Sequence, residues 1–307
     1  MEQSQFWREV FAIRGSVTPY IRHRLLWFIT FSCLVWAVAA YLGIQTGMAV
    51  APYEIVGVVL ALLLVLRTNS GYDRWYEGRK LWGGIVNQSR NLATIGLVYG
   101  PDDRAWRETF ARWVASFSHV ARHNLRGERD LSDMGGLLGD ETDRVAAAQH
   151  MPMYVAGRVG QMLREALEQG RLDRFAFIQA EKERAELIDH IGACERILKT
   201  PLAQVFSIKI RRFLFIYLTA LPLAIVDKAG VTTPLITLLV AYPLLSLDQI
   251  GIELQNPFSK RRLSHLPLED ICHTIESNVM AYLEQPRDEP QPALQCEPTR
   301  ALPELVA

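Results

Sequence analysis

Residues 57–82 read GVVLALLLVLRTNSGYDRWYEGRKLW, and the fold turns on how this stretch changes character. An uncharged apolar run from Gly57 to Leu66 passes without a break into Arg67, Thr68, Asn69, Ser70, Tyr72, Asp73, Arg74, Glu77, Arg79 and Lys80. A helix buried in a soluble core seldom ends so abruptly. A membrane span that emerges on the cytoplasmic side does, because the hydrocarbon excludes charge and the cytoplasmic flank collects cations.

Working outward, whole-chain composition decides little. The 307 residues are 50% hydrophobic and 21% charged. Lys plus Arg and Asp plus Glu both total 33, so no global charge points to nucleic acid or to an anionic surface. Distribution is more telling: apolar residues crowd into residues 25–66 and 213–247, with a highly charged stretch between them. Within the first block, residues 25–42 make about one membrane thickness of helix. Residues 49–66, interrupted only by Pro52 and Glu54, make another. The second block divides at Asp227-Lys228-Ala229-Gly230 into residues 213–226 and 231–247. Both halves are short, roughly 14 to 17 residues against the usual 17 to 25. Lys209, Arg211 and Arg212 precede the third span and could snorkel to lengthen it.

Flanking cations set the orientation. Arg14, Arg22 and Arg24 precede the first span, and Arg67, Arg74, Arg79, Lys80 and Arg90 follow the second. Arg196, Lys199, Lys209, Arg211 and Arg212 precede the third, and Lys260, Arg261 and Arg262 follow the fourth. The short connections carry only Glu54 and the pair Asp227/Lys228. The positive-inside rule then places both termini in the cytoplasm of a multi-pass protein of the inner, or plasma, membrane. Ala37-Val38-Ala39 mimics a signal-peptidase site, but a second span follows closely, so the first is read as retained.

The stretch between the two blocks is helical. Trp106, Phe110, Trp113, Val114, Phe117, Val120 and Ala121 recur on one helix face. So do Val155, Val159, Met162, Leu163, Ala166 and Leu167, and again Leu187, Ile188, Ile191, Cys194, Ile197 and Leu198. The Gly- and Asp-rich residues 130–142 read as a loop. The expected architecture is all-α: four transmembrane helices and a helical cytoplasmic domain. Its parts are a cytoplasmic segment over 1–24, spans one and two within 25–66, and a cytoplasmic domain over 67–205. Spans three and four lie within 206–250, a cytoplasmic segment covers 251–285, and a proline-rich disordered tail covers 286–307.

Catalytic signatures are missing: there is no Walker loop, GxGxxG, HExxH or GxSxG, so no enzyme and no cofactor is expected. His119 and His123, four apart, could share a metal, but no ligand set completes around them; they read as solvated or interhelical, and no metal site is expected. Cys33, Cys194, Cys272 and Cys296 lack CxxC spacing and read as packing thiols. On the second span, Val58, Leu62 and Leu66 stand at i, i+4 and i+8, a stripe about 12 Å long. Alone it could face lipid, a neighbouring helix or a pore. Gly57 and Ala61 form a small-xxx-small pair that would let helices approach closely.

RTNSGYDRWYEGRKLWG over 67–83 resembles the segment after the second membrane helix of bacterial bestrophin homologues, which are pentameric ion channels. GACERILKTPL over 192–202 and IELQNPF over 252–258, followed by LPLEDIC over 266–272, extend the resemblance in the family's order. It covers most of residues 1–285. The resemblance implies a homopentamer in the bilayer conducting monovalent ions passively. It also implies a hydrophobic neck at Val58, Leu62 and Leu66, here smaller aliphatics than the family's usual Ile and Phe. A second constriction, the cytoplasmic aperture, falls on Ile178, with Phe175 or Phe177 as the alternatives if the register slips. Apolar rings of this kind gate by dewetting.

Animal members of the family place a carboxylate-rich calcium clasp after NPF. Here Ser259, Lys260, Arg261, Arg262, Leu263, Ser264 and His265 stand there, without a carboxylate, so no clasp is expected. The family leaves the sign of the ion open. Glu54, one turn before Val58 on the same stripe, would form an acidic ring at the outer mouth and favours cations; its other reading is a helix-start residue held by the dipole. A transporter with a midplane site would want broken helices or charges within the spans. A membrane-anchored helical scaffold is the remaining alternative.

Overall fold

The computed structural model describes residues 6–8, 10–13, 15–43 and 45–285, and among these it contains helices and no strand. The expected tail over 286–307, including Cys296, lies outside the described residues, as does Arg14. Eight longer helices organise the chain: α1 (Thr18–Leu42), α2 (Ala51–Tyr99), α3 (Arg104–Arg126), α4 (Met151–Glu168), α5 (Arg174–Lys199), α6 (Gln204–Ala229), α7 (Thr233–Glu253) and α8 (Leu268–Leu283).

The abrupt change of character at Arg67 falls inside a single helix. With 49 residues, α2 extends roughly 70 Å at 1.5 Å per residue and belongs to two cores in succession. Its first half contributes Leu60 and Leu64 to an apolar bundle with Ile21 and Phe28 of α1, Ile210, Leu214 and Leu218 of α6, and Ala241 and Leu245 of α7. Its second half contributes Trp82, Ile85, Leu92, Ala93 and Leu97 to a larger core built with α3, α4, α5 and α8. The three periodic faces read from the sequence supply that core: Phe110, Val114, Phe117 and Val120 from α3, Val155, Val159 and Leu163 from α4, and Leu187, Ile191, Cys194 and Ile197 from α5.

Three helical stretches are long and apolar enough to cross a membrane: Thr18–Leu42, Ala51–Tyr99 and Gln204–Glu253. The last is divided by a 3-10 turn, Gly230–Thr232, whose Gly230 takes φ 53°. That left-handed backbone favours glycine. The two halves fold back on each other, since Arg211 near the start of α6 reaches Asp248 near the end of α7, Nε to Oδ2 at 3.4 Å. The apolar run over 213–226 is only part of its helix: α6 has 26 residues and runs through Lys209, Arg211 and Arg212. Hydropathy ended the span at these cations, but the helical hydrogen bonds do not. Pro222 and Pro243 lie inside continuous helices, so neither breaks its helix as a transporter site would want.

One further expectation changes. Residues 130–142 are a succession of short helical turns, Ser132–Met134, Gly135–Leu138 and Gly139–Glu141, which bury Met134 and Leu138. Gly57 brings α2 close to α6. A Cβ there would stand 2.6 Å from the hydroxyl of Tyr217 on α6.

Candidate functional site

The three matched motifs, far apart in sequence, meet in one joint. Arg74 of α2 donates from Nη1 to the carbonyl of Thr200 at 2.7 Å, from Nη2 to the carbonyl of Ile197, and from Nε to the carbonyl of Gln255 at 3.4 Å. One guanidinium thus satisfies carbonyls at the C-terminus of α5, which that helix end leaves without intrahelical partners. The same group ties α5 to the end of α7. Gly78 admits the third motif: a Cβ at that position would stand 3.0 Å from Pro257 and 3.3 Å from the ring of Phe258. Phe258 is fully buried, and its N–H donates to Asn256 Oδ1 at 3.1 Å, closing the turn. Trp75 Nε1 donates to the carbonyl of Ser264 at 2.7 Å. The residue types in these motifs therefore hold α2 at a fixed angle to the domain beneath it.

Just above the joint, Asp248 of α7 is buried and draws three arginines from three other helices. Arg67 of α2, itself buried, pairs with Oδ1. Arg211 of α6 at 3.4 Å and Arg24 of α1 at 3.8 Å approach Oδ2. This junction was missed in the sequence, because Arg67 and Asp248 lie 181 residues apart. Its signal was an unpaired Asp at the end of one apolar run and an Arg at the end of another. At the opposite end of the bundle the connections are tied instead by Asp227, which accepts from Thr46 N at 3.0 Å and Gly47 N at 2.9 Å.

With α2 held at both levels, one face of its apolar half packs inward and the other does not. Leu60, Leu64 and Arg67 are buried. Val58 is 71% exposed, Leu62 58% and Leu66 49%, and Glu54 is exposed one turn earlier. All four proposed neck and mouth residues thus share an outward face of the chain. On α5, Ile178 is 57% exposed and Phe175 more so, while Phe177 packs against the core.

Electrostatics elsewhere are structural. His119 Nε2 lies 2.9 Å from Glu276 of α8, and His123 lies 3.2 Å from Glu128 and 3.5 Å from Asp133. Burial holds both imidazoles below their ordinary pKa, and Arg122 lowers them further. The two histidines are interhelical and loop-tethering groups, and no metal-binding cluster occurs among the described residues. Burial pushes the Cys194 and Cys272 thiols up to about 12, so both are inert packing groups. After the NPF turn, the carboxylates that approach are already matched by cations: Lys260 and Arg126 meet Glu269 at 2.8 and 2.6 Å, and Arg262 meets Glu253 at 3.7 Å. Hydrogen bonds from Arg126 hold the Glu269 carboxyl well below the usual carboxylate range.

The chain resembles known proteins along most of its length. The family model described as Bacterial/Fungal Bestrophin protein matches residues 1–281. A protein of Nostoc sp. named as a voltage-dependent anion channel-forming protein is 33% identical over 274 residues, covering 88% of this chain and 89% of its own. A protein of Escherichia coli K12 with the same descriptive name is 31% identical and covers 91% of each chain. A crystal structure of a bacterial bestrophin homologue from Klebsiella pneumoniae superposes with a TM-score of 0.79 at 27% identity, covering 87% of this chain and 99% of that one. The apolar helices and the match along the chain make this a multi-pass membrane protein, and it belongs to the bacterial and fungal bestrophin family.

Proposed function

We propose that copies of this chain, five by family resemblance, surround a pore through which monovalent ions pass passively. One observation carries this reading. The apolar stripe Val58, Leu62 and Leu66 is exposed on a helix whose opposite face is locked into the bundle by Leu60, Leu64 and the Arg67–Asp248 pair. Repeated around an axis, that stripe makes a hydrophobic neck that ions cross only when it is wide enough to wet. Ile178, exposed on α5, would narrow the cytoplasmic end.

Four spans with both termini in the cytoplasm are supported by the fold-back at Gly230–Thr232 and by charge placement. Arg24, Arg67 and Arg211 gather at one end of the bundle, as the positive-inside rule requires of the cytoplasmic face. On the sign of the ion, Glu54 argued for cations, whereas the relatives are named for anion channels, which leans the other way. Reversal potentials of reconstituted protein under a salt gradient test the point. If Glu54 lines the mouth, Glu54→Lys shifts the potential toward anions; an unchanged potential removes Glu54 from selectivity. Mass measurement in detergent tests the ring, and a stable monomer or dimer would overturn it.

A further inference from the structure

At the cation-rich end of the bundle, α1, α6 and α7 border a cleft of about 540 Å³, lined in part by the Trp27–Phe215 ring pair, whose centroids are 5.7 Å apart. Its inner walls are aromatic and aliphatic: Trp27 and Phe28 from α1, Leu214 and Phe215 from α6, and Leu245 from α7. Its mouth carries His23, Arg24 and Arg211, with Asp248 at the base. The charges do not balance. The Oδ1 atom of Asp248 is taken by Arg67, so Oδ2 is left facing two further guanidiniums at 3.4 and 3.8 Å. Three arginines against one carboxylate leave an excess of two positive charges. The side chains of Arg24 and Arg211 are 50% and 47% exposed, so both guanidiniums are accessible from outside the protein. A second, shallower cleft of about 430 Å³ continues past Arg211 and Phe215 along Arg212 and Ile216.

A small inorganic anion would match the cations and leave the aromatic walls bare. An uncharged apolar molecule would do the reverse. An anionic phospholipid matches both, with its phosphodiester between two guanidiniums and an acyl chain along Trp27 and Phe215. Basic pockets between membrane helices on the cytoplasmic side suit such headgroups. We propose that this cleft is a binding site for an anionic phospholipid of the cytoplasmic leaflet, held through Arg24 and Arg211. The leaflet assignment rests on the orientation given under the proposed function; the site chemistry does not.

Quenching of Trp27 fluorescence by chain-brominated lipids tests this on the purified assembly in mixed micelles, which have no sidedness. The quenching attributable to Trp27 is the difference between the wild type and Trp27→Phe. Brominated phosphatidylglycerol should quench that component at about five-fold lower mole fraction than brominated phosphatidylcholine. In the double variant Arg24→Gln/Arg211→Gln the two lipids should become equivalent, and Arg24→Lys/Arg211→Lys should keep most of the preference. Equal quenching by the two lipids in the wild type would overturn the proposal, and this arm stands even if the glutamine variant fails to fold. A preference that survives in the folded glutamine variant would overturn it too. So would relief of the quenching by millimolar inorganic phosphate, which would mark a free-anion site. Failure of the orientation alone would appear in side-specific labelling of the termini and leave the micelle result unchanged.

Discussion

Asp248 holds four helices through one carboxylate, and its neighbours determine what its removal should do. Arg67 is buried, and among the described residues its only anionic partner is Asp248, so Asp248→Ala strands a guanidinium in the bundle. Removing one partner of a buried pair costs roughly 3–5 kcal/mol, whereas replacing both by apolar groups is often neutral. Asp248→Ala should therefore melt well below the wild type in detergent, and Arg67→Met/Asp248→Leu should recover most of the loss. A single variant melting like the wild type would show the pair to be dispensable. The histidines of α3 give a pH dependence of definite sign. His119 and His123 are held below the ordinary value of 6.5, chiefly by burial, with Glu276, Glu128 and Asp133 opposing the shift and Arg122 reinforcing it. Below 6.5 the unfolded chain takes up these protons first. Their contribution is therefore complete above 6.5 and is lost as the pH falls toward the lower folded values. His119→Gln should flatten the fall in melting temperature between about pH 7 and pH 5.5; an unchanged slope would assign that fall to other groups.

The elements differ in how openly the sequence declares them. The faces of α3, α4 and α5 were legible because each buries a stripe at helical spacing. The length of α6 was not, because its first turns carry Lys209, Arg211 and Arg212, cations that hydropathy counts against a span and a helix tolerates. The turns over 132–141 were hidden by glycines that suggested a loop. The stripe of the candidate neck was visible as spacing, but only the packed opposite face of α2 distinguishes it from a core stripe. The joint at Arg74 was legible as three motifs and not as one place, since carbonyl acceptors leave no trace in side-chain identity. Packing along α2 supplies a paired test. A Cβ at Gly96 would overlap the buried ring of Phe110, while one at Gly83 meets nothing within 4 Å. Replacing Gly by Ala in a helix gains up to about 1 kcal/mol, against roughly 1–3 kcal/mol for overpacking a closed core. Gly83→Ala should raise the melting temperature and Gly96→Ala lower it. The same sign for both would contradict the close approach of α2 and α3.

Over the whole molecule, the 49-residue α2 links an outward apolar stripe, an ionic junction at Asp248 and a helical domain anchored through Arg74. In a channel each part has its use. On the proposed reading the stripe would form the barrier, the junction would fix its angle, and the domain would extend the path past Ile178. A transporter would need a site that opens alternately to the two sides, and α6 and α7 are continuous through their prolines. A membrane-anchored scaffold would turn the same stripe to lipid and pass no current, which recording decides. The most direct measurement is single-channel recording of the reconstituted wild type beside Leu62→Ala and Leu66→Ala, all at matched protein content. A hydrophobic neck predicts discrete currents that do not saturate as a carrier's would, with conductance or open probability raised when apolar bulk is removed. Absence of current, saturable solute-coupled flux, or currents unaltered by both substitutions in well-folded protein would contradict it.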